Sequence, residues 1–243
     1  MAWTFTADEF AHVWRESGQD RLPFPLRMLE TPRTELDAAR LREGLQHRLP
    51  KGDPDLAACL RIIAHPHARI TLVGGAHTPG SEIRLLGCAV YDRAVLVVQE
   101  PSTRPDYGGA VRVSIGHSAG IGARVTACLP DTPPGREPAR EAAAAAVRDE
   151  ETVLATHPAV PRIQRLLRRP HTAEGHIRIE TGLDHAVPNP PVHYSWIDVA
   201  NDGRYLLRAG ETVHVVPASI GQLTAQLQRR LVPAHSSHSR RSG

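Results

Sequence analysis

Of 243 residues, 41% are hydrophobic and 23% are charged, and the formal net charge is +3. That composition is close to the globular average, which excludes wholesale disorder and fibrous repeats. No apolar run approaches the roughly 18 residues that a membrane span needs. The length suits one large domain or two small ones, each able to bury a core.

Met1–Phe10 has no basic stretch ahead of an apolar one, so no secretory signal is expected. Cys59, Cys88 and Cys128 are odd in number and widely spaced, as expected of reduced thiols in the cytoplasm and not of a disulfide framework or a zinc site. Lys51 is the sole lysine, and Arg240 with Arg241 accounts for two of the three net positive charges. The basic balance is therefore poor support for nucleic-acid binding.

Thr6 and Glu9 form a capping box ahead of Phe10, Val13 and Trp14 at helical spacing, and Ser17-Gly18 closes this first helix. Pro23 and Pro25 make Leu22–Glu30 extended, or an edge strand. A second helix starts at Thr34 and carries Leu41, Leu45 and Leu49 before a stop at Pro50-Lys51-Gly52. Asp53 caps a third helix, with Pro54 at its first position and Leu56, Leu60 and Ile63 as its buried stripe; His65-Pro66 ends it.

From here the hydrophobic period changes to two. Ala68–Val73, Ile83–Tyr91, Ala94–Gln99 and Ala110–Ile115 read as strands, with a tight turn at Asp92-Arg93 and longer loops over Gly74–Glu82 and Glu100–Gly109. Ala119–Leu129 returns to helix, and the proline-rich Asp131–Pro138 reads as a linker.

The order then repeats. Helices are expected over Glu141–Thr156, with its alanine run, and Pro161–Arg169. Strands follow at His176–Glu180, His193–Val199, Arg204–Arg208 and Thr212–Val216, with a strong hairpin signal at Asn201-Asp202-Gly203. Ser219 caps a last helix carrying Leu223, Leu227 and Leu231. Both halves thus run helix, helix, four strands, helix, offset by about 100 residues. The expected fold is α+β, a central and largely antiparallel sheet flanked by helices with a quasi-twofold internal duplication. One domain is expected over residues 1–231, with half 1 near 1–130, the linker at 131–138, half 2 near 139–231, and a disordered basic tail at 232–243.

Gly116-His117-Ser118-Ala119-Gly120 fits G-x-S-x-G, a nucleophile elbow between a strand and a helix. Asp184 or Asp198 with His214 would nominally complete a triad. Hairpin-linked strands surround this motif where a hydrolase would alternate β and α, and the matching corner at Val216–Gly221 lacks it, so an architectural role is the expected one. None of the 14 histidines, His65 and His67 included, shows metal-ligand spacing, and no dedicated metal or cofactor is expected. Gly74-Gly75 and Gly108-Gly109 lack the G-K-[ST] of a phosphate loop. Arg162, Arg165, Arg168 and Arg169 read as the solvated face of a helix. With no catalytic constellation, the chain reads as a binding protein and not an enzyme.

Ser195-Trp196-Ile197-Asp198, Asp202-Gly203-Arg204-Tyr205-Leu206 and Val213-His214-Val215-Val216-Pro217-Ala218 together resemble the closing segment of EspG proteins, cytosolic chaperones of actinobacterial ESX (type VII) secretion systems. Thr6-Ala7-Asp8-Glu9-Phe10 with Trp14 is similar to that family's opening helix, and Leu22-Pro23-Phe24-Pro25-Leu26 to the extended segment after it. Leu129-Pro130 followed by Pro133-Pro134-Gly135 is similar to its mid-chain linker. The resemblance spans about Thr4 to Leu231.

It implies a cytosolic chaperone that binds the apolar tip of a cognate PE/PPE-type helical substrate, keeps it soluble and directs it to the secretion machinery. It also implies where the partner binds: the loop after the strand that follows the third helix, together with sheet and C-terminal helical surfaces. The matching loop is Gly74, Gly75, Ala76, His77, Thr78, Pro79, Gly80, Ser81 and Glu82. Neither nucleic acid nor membrane insertion is expected. Open strand edges leave room for a weak homodimer.

Overall fold

The computed structural model describes residues 1–29, 31, 34–48, 52–103, 107–149 and 157–232. Its strands are β1 (Ala2–Phe5), β2 (Ala68–Ala76), β3 (Glu82–Val90), β4 (Arg93–Pro101), β5 (Gly108–His117), β6 (Arg140–Ala143), β7 (His171–Thr181), β8 (Val192–Val199), β9 (Gly203–Ala209) and β10 (Thr212–Pro217). The helices are α1 (Ala7–Glu16), α2 (Glu35–Arg48), α3 (Pro54–Ala64), α4 (Ile121–Thr126), α5 (Ala144–Arg148), α6 (Ala159–Leu167) and α7 (Ile220–Leu231).

Among the described residues these strands form one ten-stranded sheet, in the order β1-β5-β4-β3-β2-β7-β8-β9-β10-β6. Its ladders are antiparallel throughout. Read inward from either edge, the order is the same: a short strand from the start of one half, then the fourth, third, second and first strands of its meander. The two halves therefore meet at the β2–β7 ladder, and a pseudo-twofold axis passes between these strands.

Helices cover the sheet unevenly. On one face α4 and α7 pack over the middle, burying Ile121, Val125, Leu223 and Leu227 against Ile70, Leu72, Ile177 and Trp196. Gly122 permits their close approach, since a Cβ there would lie 2.8 Å from the Thr224 carbonyl oxygen. On the other face two separate cores form. One sets Phe10, Trp14, Leu56 and Ile63 of α1 and α3 against Leu86, Val95, Val97 and Val113. The second sets Ile163 and Leu166 of α6 against Ile197, Tyr205 and Val215. The thiols of Cys59 and Cys88 sit in the first of these cores, where burial pushes them up to about 11 and about 12, so they act as small apolar side chains.

Several local expectations hold. Thr6 and Glu9 form the capping box of α1. Asp53 accepts from Asp55 and Leu56 at the start of α3. Ser219 and Gln222 make a second capping box on α7. Asn201 takes a positive φ of 59° in the β8–β9 turn.

Others are corrected. Residues 22–29 are not an edge strand, although the Arg27 carbonyl accepts from Gly108 N–H of β5 (2.8 Å); the edge of half 1 is β1, which runs along β5. Pro23 and Pro25 carry no amide hydrogen, and the Gln99 side chain takes over the role of a ladder by accepting from Arg27 N–H (3.0 Å) and donating to its carbonyl (3.0 Å). The helix expected from Glu141 begins as strand β6 on the β10 edge, because ladder bonds override the helix preference of the alanine run. Only Ala144–Arg148 is helical, and the end of that expected helix at 150–156 lies outside the described residues. The same is true of the helix stop at 49–51 and the tail at 233–243. β7 begins at His171, five residues before its expected start, α6 at Ala159, and α4 is shorter than expected, following a 3-10 turn at Ser118–Gly120.

The linker segment 131–138 is fastened to β9. Arg204 N–H donates to the Pro133 carbonyl (2.7 Å), and Gly135 N–H donates to that of Arg204 (2.9 Å). Gly203 allows this approach, because a Cβ would lie 2.6 Å from both the Pro133 and Pro134 carbonyl oxygens. Tyr205 accepts from Glu137 N–H (2.9 Å) and donates to Asp202 (3.0 Å). Asp202 also accepts from Arg136 N–H (2.8 Å) and Arg169 (2.5 Å). The Asp202-Gly203-Arg204-Tyr205 motif is thus a clasp that fastens the connection between the halves onto β9.

Burial alone would raise the Asp202 pKa, but the bonds from Arg136, Tyr205 and Arg169 outweigh it and hold the group below its ordinary value of 3.8. A carboxylate depressed in the folded state adds stability above its unfolded pKa and loses it as pH falls through the folded one. Urea unfolding across pH should therefore show the gap between the native chain and Asp202→Asn widest above about pH 4 and closing at lower pH. A gap that stays constant down to pH 2 would contradict the clasp's electrostatics.

Candidate partner-binding face

β7 lies sixth of ten strands, yet only one of its faces is covered. Ala173, Gly175, Ile177 and Ile179 are buried beneath the α4–α7 layer, whereas Thr172, Glu174, His176 and Arg178 are exposed. Strand alternation puts this second set on the face where the two outer cores stand apart. An open stripe therefore runs along β2, β7 and β8, crossing the pseudo-twofold axis, and is walled by the helices of each half. Thr71, Val73, His176, Arg178, His193 and Ser195 line a hollow of about 210 Å³ there, and Phe24, 65% exposed, overhangs it.

Polar groups order the floor. Arg69 and Arg178 both bond Glu180, each at 2.8 Å. Burial would raise the Glu180 pKa, but these two guanidinium groups lower it below the usual carboxylate value. His176 Nδ1 and the Ser195 hydroxyl stand 3.0 Å apart.

The candidate loop stands at one end of this stripe, and it is shorter than expected. Gly74, Gly75 and Ala76 belong to β2, the two glycines paired with both β3 and β7 and Ala76 with β7, and Glu82 opens β3. Only His77, Thr78, Pro79, Gly80 and Ser81 form the turn. Glycine spacing alone does not reveal that flanking strands claim these residues. His77 N–H donates to the Thr172 carbonyl (3.1 Å), tying the turn to β7. The Ser81 hydroxyl donates to the Ala76 carbonyl (2.8 Å), touches that of Thr78 and accepts from the Thr78 hydroxyl (3.1 Å). Gly75 has a φ of 144°, and a Cβ on it would lie 2.1 Å from the Ser81 carbonyl oxygen, so the turn closes only over a glycine.

The elbow motif assembles no triad. Ser118 is 5% exposed and begins a 3-10 turn whose carbonyl accepts from Gln228 (3.0 Å). Asp198 is bonded to Arg204, Asp184 lies beside His67, and His214 pairs with Glu141 on the far side of the sheet. Of the arginines on and after α6, Arg169 is held by Asp202 and Glu137. Among the described residues no three His, Cys, Asp or Glu side chains gather as metal ligands, and no helix is long and apolar enough to cross a membrane.

The sequence matches the EspG family over residues 6–229. The chain belongs to the EspG family. Among curated protein sequences none matches it. This EspG-family chain is similar in fold to a solved structure of the Mycobacterium tuberculosis type VII secretion system chaperone EspG5 in complex with a PE25–PPE41 dimer. The TM-score is 0.65 at 16% identity, with 96% of this chain and 98% of that one covered. The α+β architecture around one antiparallel sheet is thus the fold of a family relative.

The open stripe was not among the residues singled out from sequence. Its signal was present in the alternation of Thr172, Glu174, His176, Arg178 and Glu180 with Ala173, Gly175, Ile177 and Ile179. Without the strand order, however, that pattern describes any half-exposed strand.

Proposed function

We propose that this EspG-family protein is a cytosolic, non-enzymatic chaperone of type VII (ESX) secretion. It binds the apolar tip of a cognate PE/PPE-type helical substrate, keeps it soluble and hands it to the secretion machinery. Residues 1–231 act as one unit in this role. The observation that carries the reading is the uncovered stripe at the centre of the sheet. A central strand with one bare face, walled on both sides by helices, is a docking surface held by the sheet itself and ready for a helical partner. The turn at His77–Ser81, with Gly74–Ala76 and Glu82 at its base, is the first contact at one end. Family membership and the fold shared with a chaperone solved in a PE–PPE complex support the same reading.

Co-expression with a PE/PPE pair from the same genome should yield a soluble ternary complex. Hydrogen exchange should then slow at residues 74–82 and along β7. A pair that purifies equally well alone and never co-elutes with this chain would overturn the proposal.

A further inference from the structure

Strand register arranges the charges of the open stripe in rows. Gly75 stands between Glu82 on β3 and Glu174 on β7. Two residues along, Val73 stands between Arg84 and His176. Two further, Thr71 stands between Leu86 and Arg178, and Arg178 faces His193 on β8. One end of the stripe, beside the turn, is therefore acidic and its middle is basic.

At the acidic row the space a Gly75 side chain would take is filled by the Ser81 carbonyl oxygen, and with strands about 4.8 Å apart the two glutamates rise from backbone positions roughly 10 Å from each other. His171 lies 3.1 Å from Glu174, while Glu82 has no ion-pair partner among the described residues. In the middle, Arg178 shares Glu180 with Arg69, so two guanidinium groups have one carboxylate between them. Arg84 has no ion-pair partner among the described residues. A carboxylate brought to Arg84 and Arg178 would relieve that excess, and a cation laid over Gly75 would sit between two carboxylates.

Resting on the chaperone reading above, we propose that the helix received by this stripe has a matching charge order. It carries a basic side chain over the Glu82–Gly75–Glu174 row and an acidic side chain over Arg84 and Arg178. Rows two residues apart are separated by about 6.6 Å, and the Gly75 and Thr71 rows by about 13 Å. At 1.5 Å per residue the acidic position falls about four to nine residues from the basic one. The partner is thereby fixed in one direction along a groove whose backbone is nearly symmetric, so charge order and not shape decides its orientation.

Affinity for the PE/PPE pair should be measured for the native chain, for Glu82→Lys with Glu174→Lys, and for Arg84→Glu with Arg178→Glu. Arg162→Glu with Arg165→Glu on the outer face of α6 serves as a control. Each of the first two double variants should weaken binding at least tenfold while remaining folded by circular dichroism, and the control should not. If one reversal weakens binding and the other tightens it, the partner carries a single sign of charge and the inference is wrong. If neither changes affinity beyond twofold while the native chain binds, the inference is also wrong and the chaperone reading stands. A second arm needs no PE/PPE pair: two helical 16-residue peptides of equal composition, one with lysines and glutamates in opposite halves, the other with them interleaved. A tenfold preference of the native chain for the first supports the charge order even if the PE/PPE pair fails to bind; equal affinity overturns it.

Discussion

Replacing Arg204 by alanine should cost about 3–5 kcal/mol of stability, the range for breaking a buried ion pair by removing one partner. Arg204 is fully buried and binds Asp198 twice, through Nε to Oδ1 and Nη2 to Oδ2, both at 2.7 Å. Its Nη2 also donates to the Pro130 carbonyl (2.8 Å), and Thr132 donates to Asp198 (2.8 Å). The guanidinium lies 5.3 Å from the Trp196 ring centre. Removing it strands the Asp198 carboxylate in the core and loosens the connection between the halves. For a chain of this size the melting temperature should fall by on the order of 10 °C. Lysine cannot restore the forked contact, so Arg204→Lys should recover little. The double variant Asp198→Asn with Arg204→Met leaves no stranded charge and should be less damaged than Arg204→Ala. Loss of under 1 kcal/mol in urea unfolding of Arg204→Ala would show that the pair holds nothing together.

A second large effect is expected at Gly175, which faces Gly74 across the β2–β7 ladder. A Cβ on Gly175 would lie 2.6 Å from the Val73 carbonyl oxygen, 2.7 Å from Trp196 Nε1 and 2.9 Å from the Gly74 Cα. Gly175 therefore makes room for the fully buried Trp196 ring, and Gly74 for the β7 backbone, where the halves join. Two of the three obstructing atoms are backbone and cannot swing aside. Gly175→Ala should cost roughly 3 kcal/mol, the upper end of ordinary overpacking, and Gly175→Val more. Gly44 supplies the contrast. It lies within α2 with nothing within 4 Å of a built Cβ, so Gly44→Ala should stabilise by about 0.5–1 kcal/mol. Chemical unfolding of both variants checks the pair. Equal behaviour would mean that the close approach at the half-to-half ladder is not a constraint.

Most of the elements were legible because their signals are local. Capping at Thr6, Asp53 and Ser219 needs only residues within one turn. Alternation marked all eight strands of the two meanders, and their repeated order anticipated a sheet that reads alike from both edges. The edge strands β1 and β6 were missed, each being four residues long and made only by pairing with a strand distant in sequence. β6 even contradicts the helix preference of its own alanines. The segment 131–138 reads as a linker because its proline content is visible, whereas the bonds that fasten it come from β9.

For the site, sequence alone determined the family resemblance, the region of the turn and the lack of ligand spacing among the histidines. It could not determine which strand would end up central and bare. That depends on the two halves joining through β2 and β7 while their outer helices stay with their own halves. Residues as far apart as Gly75, Glu174 and Ser195 become neighbours only then. The face they form is a product of strand order, since alternation says which side chains share a face but not what, if anything, will cover it.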